Sequence, residues 1–307
     1  IGFCLVGSEM CIRDSLLAVL VILVASSCGE GETSNASSKE SSKDLPVKYA
    51  QGFTITQYED YYVITLNGAW RGEESKFEYL LYRNEQPTGY ENAVAVEIPI
   101  QSITCMSLTH LAFLEKLGLI DKVNGISGGE YSSNQELLKG LESGSVVEVG
   151  SGQVINYESI VEQNPDLVMA YGIDETSSKY IAKLKEMGLR VVLNAEYMET
   201  HPLGKAEWIK FMAVFFDELE KAEQLFSVIE ESYNDLLLVT DTIQEKPSVF
   251  VGMPWKGNWY VAGGKSFQAQ LFKDAGANYI WNNNQEKSSI VKSKEVVIDE
   301  AMECKYW

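Results

Sequence analysis

The sequence is poor in the residues that metal sites, nucleic-acid interfaces and disulfide-rich folds require. It has two histidines, five cysteines, and 25 lysine and arginine residues against 44 aspartate and glutamate residues. A zinc or manganese site built on histidine needs about three histidines and a carboxylate, and the chain has only His110 and His201. Nucleic-acid binding depends on clustered lysine and arginine, so a net charge of −19 argues strongly against it.

Motifs that would indicate an enzyme are also scarce. Neither a P-loop nor a G-x-G-x-x-G turn follows a predicted strand, so nucleotide binding has no support. Cys105 and His110 are five positions apart across a predicted strand-to-helix turn, which is weak evidence for a thiol nucleophile without an oriented base. Cys105 and Cys304 are the only cysteines expected in the folded part, and they predict no disulfide framework. We therefore expect a protein without catalytic activity.

The first 48 residues have the composition of a leader and a tether. The chain begins at Ile1, and residues 1–15, "IGFCLVGSEMCIRDS", resemble a translated adapter artefact, so they are excluded from fold reasoning. Residues 16–27 contain an apolar run that is too short to span a bilayer but is typical of a signal peptide. The next motif, "ASSC", resembles the lipobox of bacterial lipoproteins and predicts a lipid anchor on Cys28; a buried cysteine after an apolar helix is the alternative. Residues 28–48 are then expected to be a disordered tether at a membrane surface.

Two changes of pattern divide the next part of the chain. Residues 49–93 alternate apolar and polar side chains, which predicts a small added sheet or a long hairpin on the outside of a lobe. Residues 94–203 alternate short apolar strands with amphipathic helices, which predicts a parallel sheet covered on both faces. Gly118 and Gly188 follow predicted helices where a left-handed cap is favoured, and Pro165 cannot continue the helix before it.

A long helix and a second lobe are expected to follow. Neither glycine nor proline occurs from residue 205 to residue 244, and apolar residues keep three-four spacing, so one helix of about 55–60 Å is predicted over residues 204–244. A coiled coil is the alternative, but large aromatic residues stand where an aliphatic seam would be needed. Residues 245–307 resume the strand–helix alternation, with a loop around residues 255–260, and predict a second α/β lobe that is incomplete.

Four stretches carry a resemblance to a known family: "PIQSITCMSLTHLAFLEKLGLIDKVNGIS", "INYESIVEQNPDLVMAYG", "LKEMGLRVVLNAEYMETHPLGKAEWIKF" and "GNWYVAGGKSFQAQLFKDAGANYIW". In them the chain resembles the substrate-binding proteins of ABC importers for ferric siderophores, haem and vitamin B12. The resemblance implies an α/β fold of two Rossmann-like lobes with parallel sheets, joined by a single long helix, with the ligand in the cleft between the lobes. It implies an ABC permease dimer and its ATPase as partners, and no cofactor beyond a ligand that is an iron chelate, haem or corrinoid. A zinc- or manganese-binding protein of the same architecture and a surface lipoprotein without a transport role remain alternatives.

The resemblance also suggests a role for a short sequence pattern that occurs twice in the chain. In "NYESIVEQNPDLVM" and "SKEVVIDEAMECKYW", Asn156 and Ser293 are each followed two positions later by a glutamate, Glu158 or Glu295. In the family each lobe presents such a glutamate to arginines of one permease subunit, which implies permease docking by Glu158 and Glu295. The alternative is that each glutamate only stabilises the first turn of its helix through the helix dipole.

Candidate ligand-binding residues follow the predicted strands, because open parallel sheets bind ligands at the carboxyl ends of their strands. Some offer apolar or aromatic surface for a large planar ligand, and others offer polar groups near the start of the first-lobe helix, where an anionic group could bind. Burial in the core and helix capping are the respective alternatives. The candidates are Met106, Ser107, His110, Tyr171, Glu196, Trp255, Trp259 and Tyr260. Trp255 and Trp259 flank a turn-like segment in which burying both indoles should be difficult.

Overall fold

A computed structural model describes residues 41–151, 154–173 and 175–307. The leader, the proposed lipid-attachment residue Cys28 and most of the tether lie outside these residues. No helix within the described ranges has the length and apolar character needed to cross a membrane.

The N-terminal segment forms a sheet of five strands. The strands are β1 (Lys43–Asp44), β2 (Phe53–Gln57), β3 (Tyr61–Asn67), β4 (Lys76–Tyr82) and β5 (Val94–Glu97). They are neighbours in this order, antiparallel except for the parallel pair β4 and β5. Two predicted boundaries are wrong as a result. The tether does not extend to residue 48, because β1 pairs with β2, and the strand at residues 94–97 belongs to this sheet and not to the parallel one.

The first lobe is built on a parallel sheet in the order β12-β11-β6-β7-β8. This confirms the predicted α/β class with its parallel sheet and covering helices. Its elements are β6 (Ile103–Cys105), α1 (Leu108–Leu117), β7 (Val123–Ile126), α2 (Gln135–Ser143), β8 (Val147–Glu148), β9 (Gly150–Ser151), β10 (Val154–Ile155), α3 (Tyr157–Gln163), β11 (Leu167–Ala170), α4 (Glu175–Glu186) and β12 (Val191–Leu193). Helix α2 and the short β9–β10 hairpin were not predicted.

Helix ends in this lobe follow the local signals in the sequence. Ser107 caps α1, and Gly118 ends it at φ 70°, the left-handed conformation that glycine adopts without strain. Asn164 ends α3 at φ 43°, directly before Pro165. The next residue, Asp166, accepts hydrogen bonds from the backbone N–H groups of Gln101 and Ser102 at 2.8 and 2.9 Å. This carboxylate therefore fixes the start of β6 against its neighbour β11.

The single helix predicted over residues 204–244 is wrong in its extent, because two helices occupy the segment. Helix α5 covers Pro202–Val214 and α6 covers Leu219–Thr240. Ten of the 13 residues of α5 are buried, and its aromatic side chains share one core with both sheets. Only α6, with 22 residues and two of them buried, retains the role of a connecting helix, at a length of about 33 Å.

Asp217 causes the break. It adopts φ 59°, and the following N–H, of Glu218, donates to the carbonyl of Ala213 at 3.0 Å, the pattern of a helix that ends at a left-handed residue. Glycine usually occupies this position, but here Arg83 at the end of β4 holds the Asp217 carboxylate with two hydrogen bonds of 2.7 and 3.2 Å. The ion pair with Arg83 therefore stabilises a left-handed helix end at a position where the sequence has no glycine to signal it.

The second lobe contains two small sheets instead of one larger parallel sheet. Its elements are β13 (Ser248–Val249), β14 (Pro254–Trp255), β15 (Asn258–Ala262), α7 (Phe267–Asp274), β16 (Asn278–Tyr279), β17 (Ser289–Ser293) and α8 (Lys294–Ala301). Strands β13 and β16 are parallel, whereas β14, β15 and β17 form an antiparallel sheet. The predicted loop at residues 255–260 is a hairpin, because Lys256 and Gly257 both have positive φ and form its two-residue turn.

The second lobe repeats the connectivity of the first at small scale. In the first lobe β6 pairs with β7 and with β11, the strand that follows α3. In the second lobe β13 pairs with β16 and, through Val249, with Tyr306, which follows α8. In both lobes, the helix with the repeated sequence pattern is therefore followed by a chain segment that runs parallel to the first strand of that lobe, β6 or β13.

A buried carboxylate joins the N-terminal segment to helix α5. Glu207 accepts hydrogen bonds from the backbone N–H groups of Lys48, Tyr49 and Ala50 at 2.7–3.0 Å. It also accepts one from the Lys210 ammonium group at 2.8 Å. Burial by itself would raise the pKa of Glu207, but these four hydrogen bonds outweigh burial and lower the pKa below its ordinary value. The charge is therefore fully compensated inside the protein.

Replacing Glu207 by glutamine should lower the free energy of unfolding by roughly 2–4 kcal/mol, since one amide oxygen cannot accept all four donors. Urea unfolding measures this, with the exposed Glu231→Gln on α6 as a control expected to stay within about 0.5 kcal/mol of wild type. Because the folded-state pKa of Glu207 is lowered, its contribution is present above pH 4.5 and is lost as pH falls through the folded-state value. Equal stabilities of both variants would contradict the role of Glu207.

Candidate functional site

A cavity of about 430 Å³ lies at the carboxyl ends of the first-lobe strands. Ser107 and Thr109 follow β6, Tyr171 follows β11, and Glu196 follows β12. These positions agree with the rule that placed the candidates there. The cavity, called here the first-lobe cavity, is lined by Arg71, Ser107, Thr109, Tyr171, Ile173, Glu196 and Tyr197.

The loop between β3 and β4 contributes two residues that sequence reasoning missed. Arg71 lines the first-lobe cavity, and the Trp70 ring packs on Gly172, where an added Cβ would lie 2.5 Å from the ring. Gly172 belongs to the loop after β11, so this contact ties the N-terminal sheet to the cavity wall. The sheet was expected on the outside of the lobe, and no local signal in the sequence indicated that its loop reaches the site.

The first-lobe cavity is lined by a buried carboxyl group, that of Glu196, and by an unpaired cation, Arg71. Glu196 is 3% exposed, and burial raises its pKa, opposed by a hydrogen bond from Thr109 and the charge of Lys205. Within the described ranges, Arg71 forms no ion pair and no side-chain hydrogen bond. The Tyr171 backbone is held by α4, since its N–H donates to the Tyr180 hydroxyl and its carbonyl accepts from it. The cavity thus offers a positive charge, hydroxyl groups and an aromatic ring on a fixed backbone.

Two first-lobe candidates lie behind the cavity and do not line it. Met106 is buried, and its N–H donates to the Met169 carbonyl at 3.0 Å. His110 is completely buried, with its ring 6.3 Å from the Tyr171 ring in an edge-on arrangement. Burial lowers the pKa of His110 to about 3, so the imidazole is neutral. The His110 ring therefore supports the Tyr171 ring from the core, and neither His110 nor Met106 lines the first-lobe cavity.

The second-lobe aromatic candidates are not brought to the first-lobe cavity. Trp259 is 8% exposed and belongs to the second-lobe core, where its indole N–H donates to the Val251 carbonyl at 3.3 Å. Of the two indoles that flank the turn, only that of Trp259 is buried, because the hairpin directs alternate side chains of β15 into the core. Trp255 and Tyr260 are exposed, at 63% and 47%, and line none of the cavities described here.

A groove of about 630 Å³ connects the first-lobe cavity to the second lobe. Arg71 lines both the groove and the first-lobe cavity. Its first-lobe side is formed by Gln51, Gly52, Asn67 and residues 70–73 and 198–200, and its second-lobe side is formed by residues 285–288. Trp255, Trp259 and Tyr260 do not line this interlobe groove.

The two docking candidates have the same local geometry. The Asn156 side chain accepts the Ser159 N–H at 3.1 Å at the start of α3, and the Ser293 hydroxyl accepts the Val296 N–H at 3.3 Å at the start of α8. Glu158 and Glu295 are therefore the second residues of two similarly capped helices, and both are exposed. For Glu295, hydrogen bonds from its own backbone and from Ser293 lower the pKa, which keeps this exposed carboxylate ionised.

Residues 125–129, "GISGG", match the G-x-S-x-G spacing of hydrolases, which sequence reasoning also missed. The glycines have packing roles. A Cβ on Gly125 would lie 2.7 Å from the Thr104 hydroxyl, and the N–H groups of Gly128 and Gly129 donate to the Glu148 carboxylate at 2.9 and 2.7 Å. In the described residues Ser127 has no hydrogen bond to a histidine base, so the spacing does not indicate a nucleophile.

Alanine replacement of the two second-lobe tryptophans, Trp255 and Trp259, should affect the stability of the protein differently. Trp259→Ala should lower the free energy of unfolding by roughly 3–5 kcal/mol, because it empties part of a small core. Trp255→Ala on the same hairpin is the matched control and should change it by less than about 0.5 kcal/mol. Urea unfolding followed by circular dichroism measures both. A stable Trp259→Ala variant would show that the indole is not a core residue.

Comparison with known proteins agrees with the architecture. An uncharacterized lipoprotein of Methanocaldococcus jannaschii is 26% identical over 328 residues, which cover 95% of this chain and 78% of that protein. A possible iron-binding (periplasmic solute-binding) protein from Staphylococcus epidermidis superposes with a TM-score of 0.53 at 19% identity, covering 66% of this chain and 74% of its own. The periplasmic catecholate-siderophore binding protein of Vibrio cholerae gives 0.53 at 15% identity, covering 77% and 75%; both show the shared fold. Residues 103–304 match the family described as periplasmic binding protein, and the chain belongs to that family.

Proposed function

We propose that this chain is the substrate-binding lipoprotein of an ABC importer and that it holds its ligand where the first-lobe cavity meets the interlobe groove. The observation that carries the proposal is Arg71, an unpaired cation that lines both spaces. Arg71 is exposed, and a guanidinium group without a counter-ion can form charge-assisted hydrogen bonds with an anionic group of a ligand. The two spaces are large enough for a bulky molecule that reaches from one lobe to the other.

The proposed ligand is a ferric siderophore, haem or a cobalamin-type compound. The Tyr171 ring offers a face for aryl or macrocyclic groups, and Ser107 and Thr109 at the start of α1 can donate to carboxylate or phenolate oxygens. The relatives described as iron-binding and catecholate-siderophore-binding motivate the same ligands as test compounds. Glu196 lines the same cavity and would accept a donor group of the ligand.

A zinc- or manganese-binding role on the same architecture has less support. In the part of the chain that the structure describes, no three histidine, cysteine, aspartate or glutamate side chains are grouped as a metal site. His201 uses Nδ1 to accept the Leu203 N–H at 3.1 Å at the start of α5, and His110 is fully buried. A surface lipoprotein without a transport role is the other alternative, and it predicts no binding to a permease.

The proposed partners are a permease dimer with its ATPase, and the proposed location is the cell envelope, on the periplasmic side of the membrane. Glu158 and Glu295 would each contact one permease subunit, since they are exposed at matching positions of α3 and α8. A lipid on Cys28 would hold the protein at the membrane. Support for the anchor comes from the "ASSC" motif and from the relative described as a lipoprotein.

Arg71→Ala should weaken binding of the anionic ligand about 10- to 100-fold, the effect expected from losing a charge-assisted hydrogen bond. Quenching of tryptophan fluorescence on titration with ferric catecholate and hydroxamate siderophores, haemin and cyanocobalamin measures it. Arg190→Ala, an exposed arginine before β12, is the matched control and should leave affinity unchanged. The proposed site fails if a compound binds tightly and both variants bind it equally.

Glu158→Ala and Glu295→Ala should each lower binding to the permease and transport in proteoliposomes, and the double variant should lower both further. Ligand affinity should remain unchanged, because both residues lie on helix ends away from the first-lobe cavity. Glu162→Ala on α3 and Asp299→Ala on α8 remove the same charge farther along the same helices and serve as controls. A loss of ligand affinity, or equal transport by test and control variants, would contradict the docking role.

A further inference from the structure

A third cavity, of about 650 Å³, is lined by four lysines. Lys246 follows α6, Lys265 and Lys273 lie at the two ends of α7, and Lys287 precedes β17. Gln51 and Thr200 complete the wall from the first lobe. This cavity is called here the lysine pocket.

The charge of the lysine pocket is opposite to that of the chain. The chain has 44 acidic against 25 basic residues, yet no aspartate or glutamate lines this pocket. Elsewhere lysines pair with glutamates, as Lys48, Lys210 and Lys292 do at 2.7–3.0 Å. Within the described ranges the four pocket lysines form no ion pair and no side-chain hydrogen bond. All four lysines are exposed, and four like charges around one concavity create a local positive potential that attracts anions.

Glu245, beside Lys246 in sequence, does not line the lysine pocket, and three other carboxylates near the pocket are engaged elsewhere or line another space. Asp274 accepts the Tyr233 hydroxyl at 2.6 Å and the Gln270 amide at 2.8 Å. Glu199 accepts the N–H groups of Gln51 and Gly52 and the indole N–H of Trp208. Glu286 lines the interlobe groove and not the lysine pocket.

The backbone holds two of the lysines in place. A Cβ on Gly263 would lie 2.2 Å from the Glu286 carbonyl, and one on Gly264 would lie 2.4 Å from the Asn284 carbonyl. The turn between β15 and α7 therefore packs directly on the segment before β17, which sets Lys265 and Lys287 on adjoining walls. Lys265 also precedes the capping residue of α7, where the helix dipole adds to the positive potential.

We infer that the lysine pocket binds a small polyanion, a molecule with several carboxylate or phosphate oxygens, at a site separate from the first-lobe cavity. The pocket and the interlobe groove share Gln51, Thr200 and Lys287, so a bound polyanion would lie beside the groove. The inference does not depend on the identity of any transported ligand.

Isothermal titration calorimetry of the full chain with citrate and with inorganic pyrophosphate tests the inference. The variant with Lys246, Lys265, Lys273 and Lys287 replaced by glutamine should lose at least about tenfold in affinity for both probes. Binding to wild type should weaken as salt rises from about 10 to 150 mM, because screening shortens the range of the lysine charges. Single replacements Lys265→Gln and Lys273→Gln provide milder changes if the fourfold variant does not fold, and each should weaken binding severalfold.

The matched control replaces four exposed lysines of the N-terminal sheet and the first lobe, Lys76, Lys116, Lys179 and Lys185, by glutamine. It changes the net charge equally and should bind both probes as wild type does, and so should Arg71→Ala. Equal losses in the control and pocket variants would show non-specific attraction and overturn the site. Loss of binding in Arg71→Ala would place the anion in the first-lobe cavity and would also overturn the lysine pocket as the site. The inference is likewise overturned if neither probe binds to wild type. Failure of all siderophore, haem and cobalamin titrations would count against the proposed function alone.

Discussion

The arrangement of the first lobe and the connecting helix depends on the hydrogen bonds that the buried Glu207 carboxylate accepts. This carboxylate holds residues 48–50 against α5 through three backbone hydrogen bonds. The same short segment reaches α6, where Glu230 accepts the Lys48 ammonium and the Tyr49 hydroxyl at 2.9–3.1 Å. Helix α5 is buried, so its charges must be paired where they lie. The segment before β2 thereby fixes the core of the first lobe and the middle of the connecting helix as one unit.

The far end of that unit contacts the second lobe through specific polar groups. On α6, Tyr233 donates to the Asp274 carboxylate at 2.6 Å and Thr240 donates to the Asp274 carbonyl at 2.8 Å. From α5, the Lys205 ammonium lies 4.7 Å from the centre of the Phe267 ring. A wide hinge opening would break these contacts together, so ligand capture should proceed with small lobe movements. The size of the interlobe groove is then largely preformed.

Local signals predicted much of the fold, and long-range contacts decided the parts that were missed. Ser107 and Gly118 marked the ends of α1 because capping acts within one turn. The end of α5 at Asp217 could not be predicted, since it depends on Arg83, 134 residues away. The same holds for the site. Ser107, Tyr171 and Glu196 were found by the strand-end rule, whereas Arg71 reaches the cavity from a separate sheet.

The distribution of charge connects these features. At physiological ionic strength, charges farther apart than about 8 Å are largely screened, so a net charge of −19 does not prevent anions from binding at a local cation. Arg71 and the lysine pocket are such places, because neither has a paired carboxylate within the described ranges. The exposed glutamates, in contrast, lie on outer helix ends such as those of α3 and α8, where arginines of a partner could reach them. The acidic outer surface is therefore suited to a basic partner, whereas Arg71 and the lysine pocket are suited to acidic groups of a small molecule.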